Sequence, residues 1–598
     1  MQSGLVPILV GITGHRNLRP EDLPALEKAV RGVFQEMLNR CPETPHMLLT
    51  PLAEGADRLA ARVALGLGLK LQVILPMPTA LYVTDFHSDD SRREFQILLD
   101  KAVSIIEIPL PGGFAAEDVE RPGAARDRQY EMMGVFIARH SQILVAMWDG
   151  AVNDKRGGTA HIVKHRLGMA NDESLLHPPD PVHSGPVYQI VTPRSDQPAP
   201  TQAFSLIKRF PDGIGHDLVA EEVFHRIHRA INSFNRDVVR FATPLAHQRE
   251  LSKQYLLPEA ETKQLSSALQ FTRECFASAD TLAGYFQKST LRHLAWLFLL
   301  VFLAVLVFEV FLHVLHEEAL GMLLYPAALA AAYMVYLQAR WHDVQNKYQD
   351  YRALAEGLRV QFFWRLAGLT IPVDSNYLRR QRSELHWIRH SIRVCWSLQG
   401  GEIESACGPQ SDAQRQERLT LVVKHWVEDQ QSFFVRAAHR EEHKNHRIES
   451  TIKWGVWLGL ILALLAGGVL TFPNPIGETM HHWFKDIGWL EGLIVVVTGV
   501  PLFGAALLHA YGAKLAVAEH ARQYKVMEQL FTTARARIEQ SARSNPDPPS
   551  SPLPKGGERG VERELTALIE ELGKEALSEN GDWILLHRDR PLDVPHGR

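Results

Sequence analysis

The chain has 598 residues, enough for several domains, because one domain usually takes about 100–200 residues. Its 64 basic and 68 acidic residues give a net charge of −4, which argues against nucleic acid as a partner. The four cysteines are scattered, without the spacing of a zinc site or a disulfide framework, so we predict no metal site and a reducing compartment.

The first third of the chain alternates short apolar runs with helical stretches. The first run, residues 5–10, has no basic region before it and ends in a glycine turn, which indicates a buried strand rather than a signal peptide. This alternation is typical of a parallel α/β sheet, and we predict a Rossmann-like domain over residues 1–235. The predicted strands are 6–12, 47–49, 71–75, 104–108, 142–147 and 187–191.

Three turns of this domain have the composition of anion-binding loops. Ligands bind parallel sheets beyond the carboxyl ends of the strands, and there the sequence GITGHR at 11–16 combines glycines with hydrogen-bond donors. In the turn AEGADR at 53–58, Glu54 or Asp57 accepts from ribose hydroxyls, or Asp57 instead caps the next helix. The turn GGT at 157–159 precedes a helix and forms a phosphate cradle.

The combination predicts a nucleotide-type ligand, and the alternative is that all three are plain structural turns. No further cofactor is predicted. The predicted nucleotide-binding residues are Gly11, Thr13, Gly14, His15, Arg16, Glu54, Gly55, Asp57, Gly157, Gly158 and Thr159.

Two pairs of apolar segments follow, each segment about 20 residues long, which suffices for a hydrocarbon core of about 30 Å. We predict an all-α membrane region with four transmembrane helices and long cytosolic helices. Its first module covers 255–400, with spans at 294–315 and 319–339, and its second covers 415–598, with spans at 454–472 and 492–513. Helices buried in a soluble domain are the alternative. Lys and Arg cluster on one side of the spans, which places both termini in the cytosol.

Features inside and after the spans bear on mechanism. Glu309 lies within the first span, with His313 one turn later on the same face, and the pair either lines a pore or helix contact or reaches toward the outer interface. Small residues at 455, 459, 463 and 467 predict close approach of another helix. A polar helix with one apolar stripe follows each pair, which suggests a duplicated unit, and 544–560 reads as a flexible linker before a C-terminal helix.

The head resembles the SLOG superfamily, the Rossmann-like group that includes the LOG phosphoribohydrolases, through GITGHR, EGAD at 54–57 and GGT at 157–159. The remainder looks like tandem SLATT modules, which are two-helix membrane effectors, notably at YRALAE, residues 351–356. The resemblance implies a bacterial conflict protein of the inner membrane. In such a protein a nucleotide second messenger, cyclic or derived from ADP-ribose, binds the head and a homo-oligomer permeabilises the bilayer.

One position departs from the resemblance. LOG hydrolases carry a glutamate three residues after the threonine of the glycine motif, where this chain has Ile162, so we predict no catalytic residue and a sensor rather than an enzyme. The first alternative is a membrane-tethered nucleotide hydrolase whose acid is Glu54, Asp57 or Asp149. A transporter with a regulatory head is the other alternative, and it depends on Glu309.

Overall fold

The computed structural model describes residues 4–110, 116–151, 156–169, 185–195, 200–211, 217–262, 265–315, 321–378, 385–398, 412–471, 488–543 and 557–590. These residues form two compact units. Unit 1 combines Met1–Leu282 with Ala353–Leu419, and unit 2 combines Ala283–Arg352 with Thr420–Arg598. The first predicted helical module, residues 255–400, therefore contributes residues to both units.

Unit 1 contains a seven-stranded sheet in the order β4-β3-β2-β1-β5-β6-β7. Each of its pairings is parallel except that of β7 with β6, so the prediction of a parallel-dominated α/β domain is confirmed. The short strand β7 was not predicted, because an edge strand buries few of its side chains and leaves no apolar run. The strands are β1 (Ile8–Gly14), β2 (His46–Thr50), β3 (Lys70–Leu75), β4 (Ala102–Glu107), β5 (Ile143–Trp148), β6 (Val187–Val191) and β7 (Leu206–Arg209).

Helices cover both faces of the sheet, as right-handed crossovers between parallel strands require. The helices α1, α2 and α4 pack together on one face, and α5 packs with α6 on the other. In α1 the buried residues recur at three- and four-residue spacing, so one stripe of the helix faces the sheet. The helices are α1 (Leu23–Arg40), α2 (Ala56–Gly66), α3 (Thr79–Tyr82), α4 (Asp89–Leu99), α5 (Ala124–His140) and α6 (Thr159–Arg166).

Helices also complete unit 1: α7 (Asp217–Phe241), α8 (Ala246–Leu256), the first part of α9 (Ser267–His313), the last part of α11 (Val344–Leu366) and α12 (His386–Ser397). The side-chain amide of Asn235 in α7 accepts from the backbone N–H of Val6 at 2.9 Å and donates to the Val6 carbonyl at 2.8 Å. Helix α7 therefore contacts the segment that leads into β1. Within unit 1, α11 is buried on every face, whereas its sequence pattern predicted one apolar stripe.

Unit 2 has only helical secondary structure in the residues that are described. Its helices are the remainder of α9 and α11, α10 (Leu324–Trp341), α14 (Asp429–Thr471), α15 (Gly488–Lys514), α16 (Val517–Arg543) and α17 (Gly557–Arg588), while α13 (Asp412–Val422) leads through a π-helical stretch, Val423–Glu428, into α14. The predicted linker, 544–560, lies outside the described residues as far as 556, and α17 begins at Gly557.

Three described helices are long and apolar enough to cross a membrane: Ser267–His313, Gln414–Gly468 and Gly492–Gln540. Little of each apolar stretch is buried within the protein, which indicates a membrane-associated chain rather than helices enclosed in a soluble domain. They cover most of the first and third predicted spans and all of the fourth. The second predicted span is not confirmed as a span: its residues 319 and 320 lie outside the described chain, a 3-10 turn covers Gly321–Leu323, and α10 covers the rest.

The span helices pack through small residues and aromatic rings. A Cβ added to Gly455 would lie 3.3 Å from the carbonyl oxygen of Pro501, and one added to Gly459 would lie 2.6 Å from Leu502, so α14 approaches α15 closely along the predicted small-residue face. On another side α15 meets α9, where the Phe298 and Tyr511 rings lie 5.2 Å apart. Helix α15 therefore packs against both α14 and α9.

Candidate functional site

The crevice at the carboxyl ends of β1 and β5 brings together side chains from three strand ends. These two strands are neighbours, and the connections that leave them run to opposite faces of the sheet, which opens a crevice where α/β proteins bind ligands. The backbone N–H of Asp149 donates to Nε2 of His15 at 3.3 Å, so a neutral His15 carries its proton on Nδ1. Nε of Arg194, which follows β6, lies 2.6 Å from Oδ2 of Asp149.

The first two predicted turns form one structural piece. Gly55 has φ +80° and ψ −119°, and a Cβ added to it would overlap the carbonyl oxygens of His15 and Arg16. The N–H of Ala56 donates to the His15 carbonyl at 3.0 Å. Only glycine allows this approach, since an L side chain would meet both backbone strain and steric overlap. Gly55 thus holds the turn 53–58 against the turn 11–16.

The other residues predicted in the first turn lie at different positions along β1. Gly11 lies in the middle of β1, where an added Cβ would be 2.9 Å from Ile137 of α5, so this glycine serves packing of the helix on the sheet. Thr13 is half-buried near the end of β1, and Gly14 ends the strand against Ala56 and Met147. The crevice is therefore bordered by the end of the turn rather than by Gly11.

The third turn leads into α6. Gly157 has φ +69°, and a Cβ on it would lie 3.0 Å from the backbone nitrogen of Glu131. Gly158 is the N-cap of α6 and makes no side-chain cap, and Thr159 is the first helical residue. The free N–H groups of the first helical turn favour negative charge, so this end of α6 suits a phosphate.

A carboxylate that the sequence did not single out lies beside this turn. Oε1 of Glu131, on α5, is 3.7 Å from Nε2 of His161, and Oε2 forms an ion pair with Arg128 at 2.7 Å. Nδ1 of the same imidazole accepts from the N–H of Gly157 at 3.4 Å. The remainder of α5 and all of β5 separate Glu131 from the glycine turn, so no local motif marks it.

Arg16 supplies an exposed positive charge at the crevice. Its guanidinium carbon lies 5.3 Å from the centre of the Tyr130 ring, a cation–π distance. The Tyr130 hydroxyl hydrogen-bonds to Asp85, whose other carboxylate oxygen pairs with Arg126 at 2.7 Å. The ring that supports Arg16 is thus itself held in place, and none of its supporting residues was predicted.

Asp57 is buried beside these groups, with 6% of its surface exposed. Burial raises the pKa of this carboxyl to about 7, against the opposing effects of the Arg16 charge and a hydrogen bond from the Ala53 backbone. Its Oδ1 and the hydroxyl of Tyr82 have no hydrogen-bond partner among the described residues. Gly55, not Asp57, is the N-cap of α2, so of the two roles left open for this residue, capping is excluded.

Glu54 is engaged within the protein. Its carboxylate accepts from the Ser91 hydroxyl, and the same hydroxyl oxygen accepts from Arg58 at 2.8 Å. The Arg58 guanidinium is buried and lies 4.5 Å from the centre of the Phe86 ring. Glu54 therefore fixes the turn 53–58 to α4.

The two predicted membrane residues contact each other. Nδ1 of His313 lies 3.4 Å from the Glu309 carboxylate and 3.1 Å from its carbonyl oxygen, and both side chains are about one-third exposed. A Cβ added to Gly492 of α15 would overlap the carbonyl of His313, so this end of α9 is in close backbone contact with α15. The pair thus satisfies part of its own polarity at a helix contact.

A scan of protein-family models found no matching family, and a search of curated proteins found no match. The likeness of the head and the membrane modules to the SLOG and SLATT families therefore stays a prediction from the motifs.

Proposed function

We propose that the protein is a nucleotide-sensing membrane effector of a bacterial conflict or antiphage defence system. In this proposal a cyclic or ADP-ribose-derived nucleotide binds the crevice between β1 and β5, and the membrane region then permeabilises the inner membrane. The proposal includes four spans with both termini in the cytosol, so that the crevice lies where such a messenger is made.

The observation that carries the proposal is that a helix N-terminus and several polar side chains lie at the carboxyl end of the sheet. The N-terminus of α6 and the exposed guanidinium of Arg16 are suited to phosphate, while the buried Oδ1 of Asp57 and the Tyr82 hydroxyl have hydrogen-bonding capacity left. A nucleotide provides both kinds of group, a phosphate and hydroxyl or amine donors. Burial of a polar group without a partner is costly, so a ligand that satisfies it binds with that advantage.

The membrane part supports an effector role by its composition. One chain has too few spans to enclose a wide pore, so the proposal includes a homo-oligomer. The small residues Gly455 and Gly459 already pack against α15 of the same chain, and contact between subunits would use another face.

A membrane-tethered nucleotide hydrolase is the second candidate, favoured by Glu131. This carboxylate lies beside the glycine turn although the acid of the LOG motif is replaced by Ile162, and it contacts His161. A carboxylate in that place has the chemistry of a general base for water. The hydrolase predicts nucleotide turnover that Glu131→Gln abolishes while nucleotide binding persists.

The test is leakage of dye and ions from liposomes that contain the purified full-length protein, with a panel of cyclic and ADP-ribose-derived nucleotides. We expect one nucleotide to trigger leakage and Gly158→Asp to abolish it, because the new carboxylate would repel the phosphate. Gly158 has φ −75° and ψ 160°, and aspartate is a favoured N-cap in that conformation, so the substitution is expected to leave α6 folded.

Gly158→Ala is the matched control, since it adds a Cβ without charge and should still respond to the nucleotide. Liposomes that stay tight with every nucleotide would contradict the effector proposal. If the nucleotide were broken down under the same conditions, the hydrolase would be favoured instead.

A further inference from the structure

The second helix of each predicted span pair, α10 and α15, ends at the same kind of backbone break. Helix α10 ends at Trp341 and α11 begins at Val344, and between them Asp343 has φ +50°. Helix α15 ends at Lys514 and α16 begins at Val517, and between them Ala516 has φ +51°. Neither residue is glycine, so each break is held in an unfavourable left-handed conformation that its surroundings must maintain. We call these the first and second hinge.

The end of α17 contacts the first hinge. The side-chain amide of Gln345 donates to the carbonyl oxygens of His587 at 3.3 Å and Arg590 at 3.2 Å. The Arg588 guanidinium forms an ion pair with Asp350 at 2.5 Å, and 7% and 18% of the two side chains are exposed. A charged pair with so little exposure is screened weakly by solvent and holds its geometry well.

The same few residues contact the second hinge. Nη1 of Arg590 donates to the carbonyl of Ala513 at 2.8 Å, and Nη2 pairs with Glu519 at 2.7 Å, so one guanidinium bridges the break on both sides of Ala516. The Nε2 atoms of His520 and His587 lie 3.2 Å apart. Residues 583–590 therefore touch both hinges at once.

The histidine contact is a hydrogen bond between neutral rings. Nδ1 of His587 lies 2.8 Å from the Trp583 carbonyl, which only accepts, so His587 carries its proton there and His520 donates from Nε2. Burial lowers the pKa of both histidines to about 4, and the positive charge of Arg590 acts in the same direction on both, as that of Lys444 does on His520. The His587 ring also packs on Trp583 at 4.0 Å. Both rings thus stay uncharged and paired near neutral pH.

We propose that residues 583–590 are a latch that holds both hinges in their bent state, and that their release frees the two hinges together. A single segment bonded to both breaks couples them, because a change that removes it withdraws support from each strained residue. The role of this release in opening the membrane rests on the proposed function, whereas the coupling of the hinges does not.

Hydrogen exchange of the full-length protein in lipid nanodiscs tests the coupling. The substitution Arg588→Asp opposes Asp350 with a like charge and should raise exchange about tenfold or more at residues 341–347 and equally at residues 513–519, since loss of a charge-assisted hydrogen bond has that magnitude. The control is Lys574→Asp, which removes ion pairs to Glu570 and Glu571 inside α17 itself and should leave both hinges unchanged.

The charge-swapped protein, Asp350→Arg with Arg588→Asp, separates a lost contact from a misfolded chain, because it restores an ion pair of opposite polarity. Slow exchange regained at both hinges supports the latch. Faster exchange at the first hinge alone, or at neither hinge, or no recovery in the charge-swapped protein, would overturn it.

Leakage assays on the same proteins separate the latch from the proposed function. Coupled hinges in liposomes that stay tight with every nucleotide would leave the latch standing and contradict the effector role. Nucleotide-triggered leakage with hinges that Arg588→Asp leaves unchanged would do the reverse.

Discussion

Replacement of Gly55 by alanine should loosen the two turns that border the crevice. Gly55 has φ +80°, and the added Cβ would overlap the carbonyl oxygens of His15 and Arg16. Gly68, after α2, is the matched control, because its φ is +84° and a Cβ on it meets no atom within 4 Å. Both substitutions place a Cβ at positive φ, and they differ in the collision and in the ψ of −119° at Gly55, which itself favours glycine.

The expected loss of stability in each variant follows from these surroundings. Left-handed backbone costs about 1–2 kcal/mol for a residue with a Cβ, and Gly68→Ala should cost little more than that. At Gly55 the overlap adds about 1–3 kcal/mol. Loss of the hydrogen bond from Ala56 to the His15 carbonyl, 3.0 Å long, adds about 1 kcal/mol. We expect the two variants to differ by about 2–4 kcal/mol, which is about a 30- to 700-fold difference in an opening equilibrium.

Native-state hydrogen exchange of the full-length protein measures that difference directly. The amides of β1 and of the first turns of α2 should exchange about 30- to 700-fold faster in Gly55→Ala than in Gly68→Ala. If the two variants protect β1 and α2 equally, the backbone contact between the turns does not hold the site together and the reasoning fails.

Three further outcomes are expected. Gly459→Leu collides with Leu502 and should destabilise the protein in detergent by about 1–3 kcal/mol. Gly499→Leu should not, because an added Cβ there meets no atom within 4 Å. Equal losses of stability on denaturant titration would refute the helix contact. Burial raises the pKa of Asp57 from 3.8 to about 7, so the wild type should lose stability as pH rises through this range and Asp57→Asn should lose less. The same pH dependence of the unfolding free energy in both proteins, measured by denaturant titration, would contradict this expectation. Burial lowers the pKa of His46 from 6.5 to about 4, so stability should fall as pH falls between these values; His46→Gln should flatten that decline, and unchanged acid lability would count against it.

Some residues of the predicted site lie together at the crevice, whereas others serve packing elsewhere in the sheet. Glycine turns after strands were visible because close backbone approach needs glycine wherever it occurs, and Gly55 and Gly157 do have positive φ. The sequence could not separate Gly11, which packs inside the sheet, from Gly14, which ends the strand. Position within a strand depends on register, and register is set by pairing with β5 and β2.

Local periodicity alone was enough to predict the parallel-dominated sheet, the apolar helices and the small-residue face of α14. These features repeat over a few residues, so burial and lipid contact leave their pattern in the sequence itself. The tertiary structure alone decided that Asp149 meets His15, that Glu131 lies beside the glycine turn, that α15 covers the small-residue face, and that the end of α17 contacts both hinges. Such contacts join segments far apart in the chain, and because each depends on how whole elements pack, no short stretch of sequence records them.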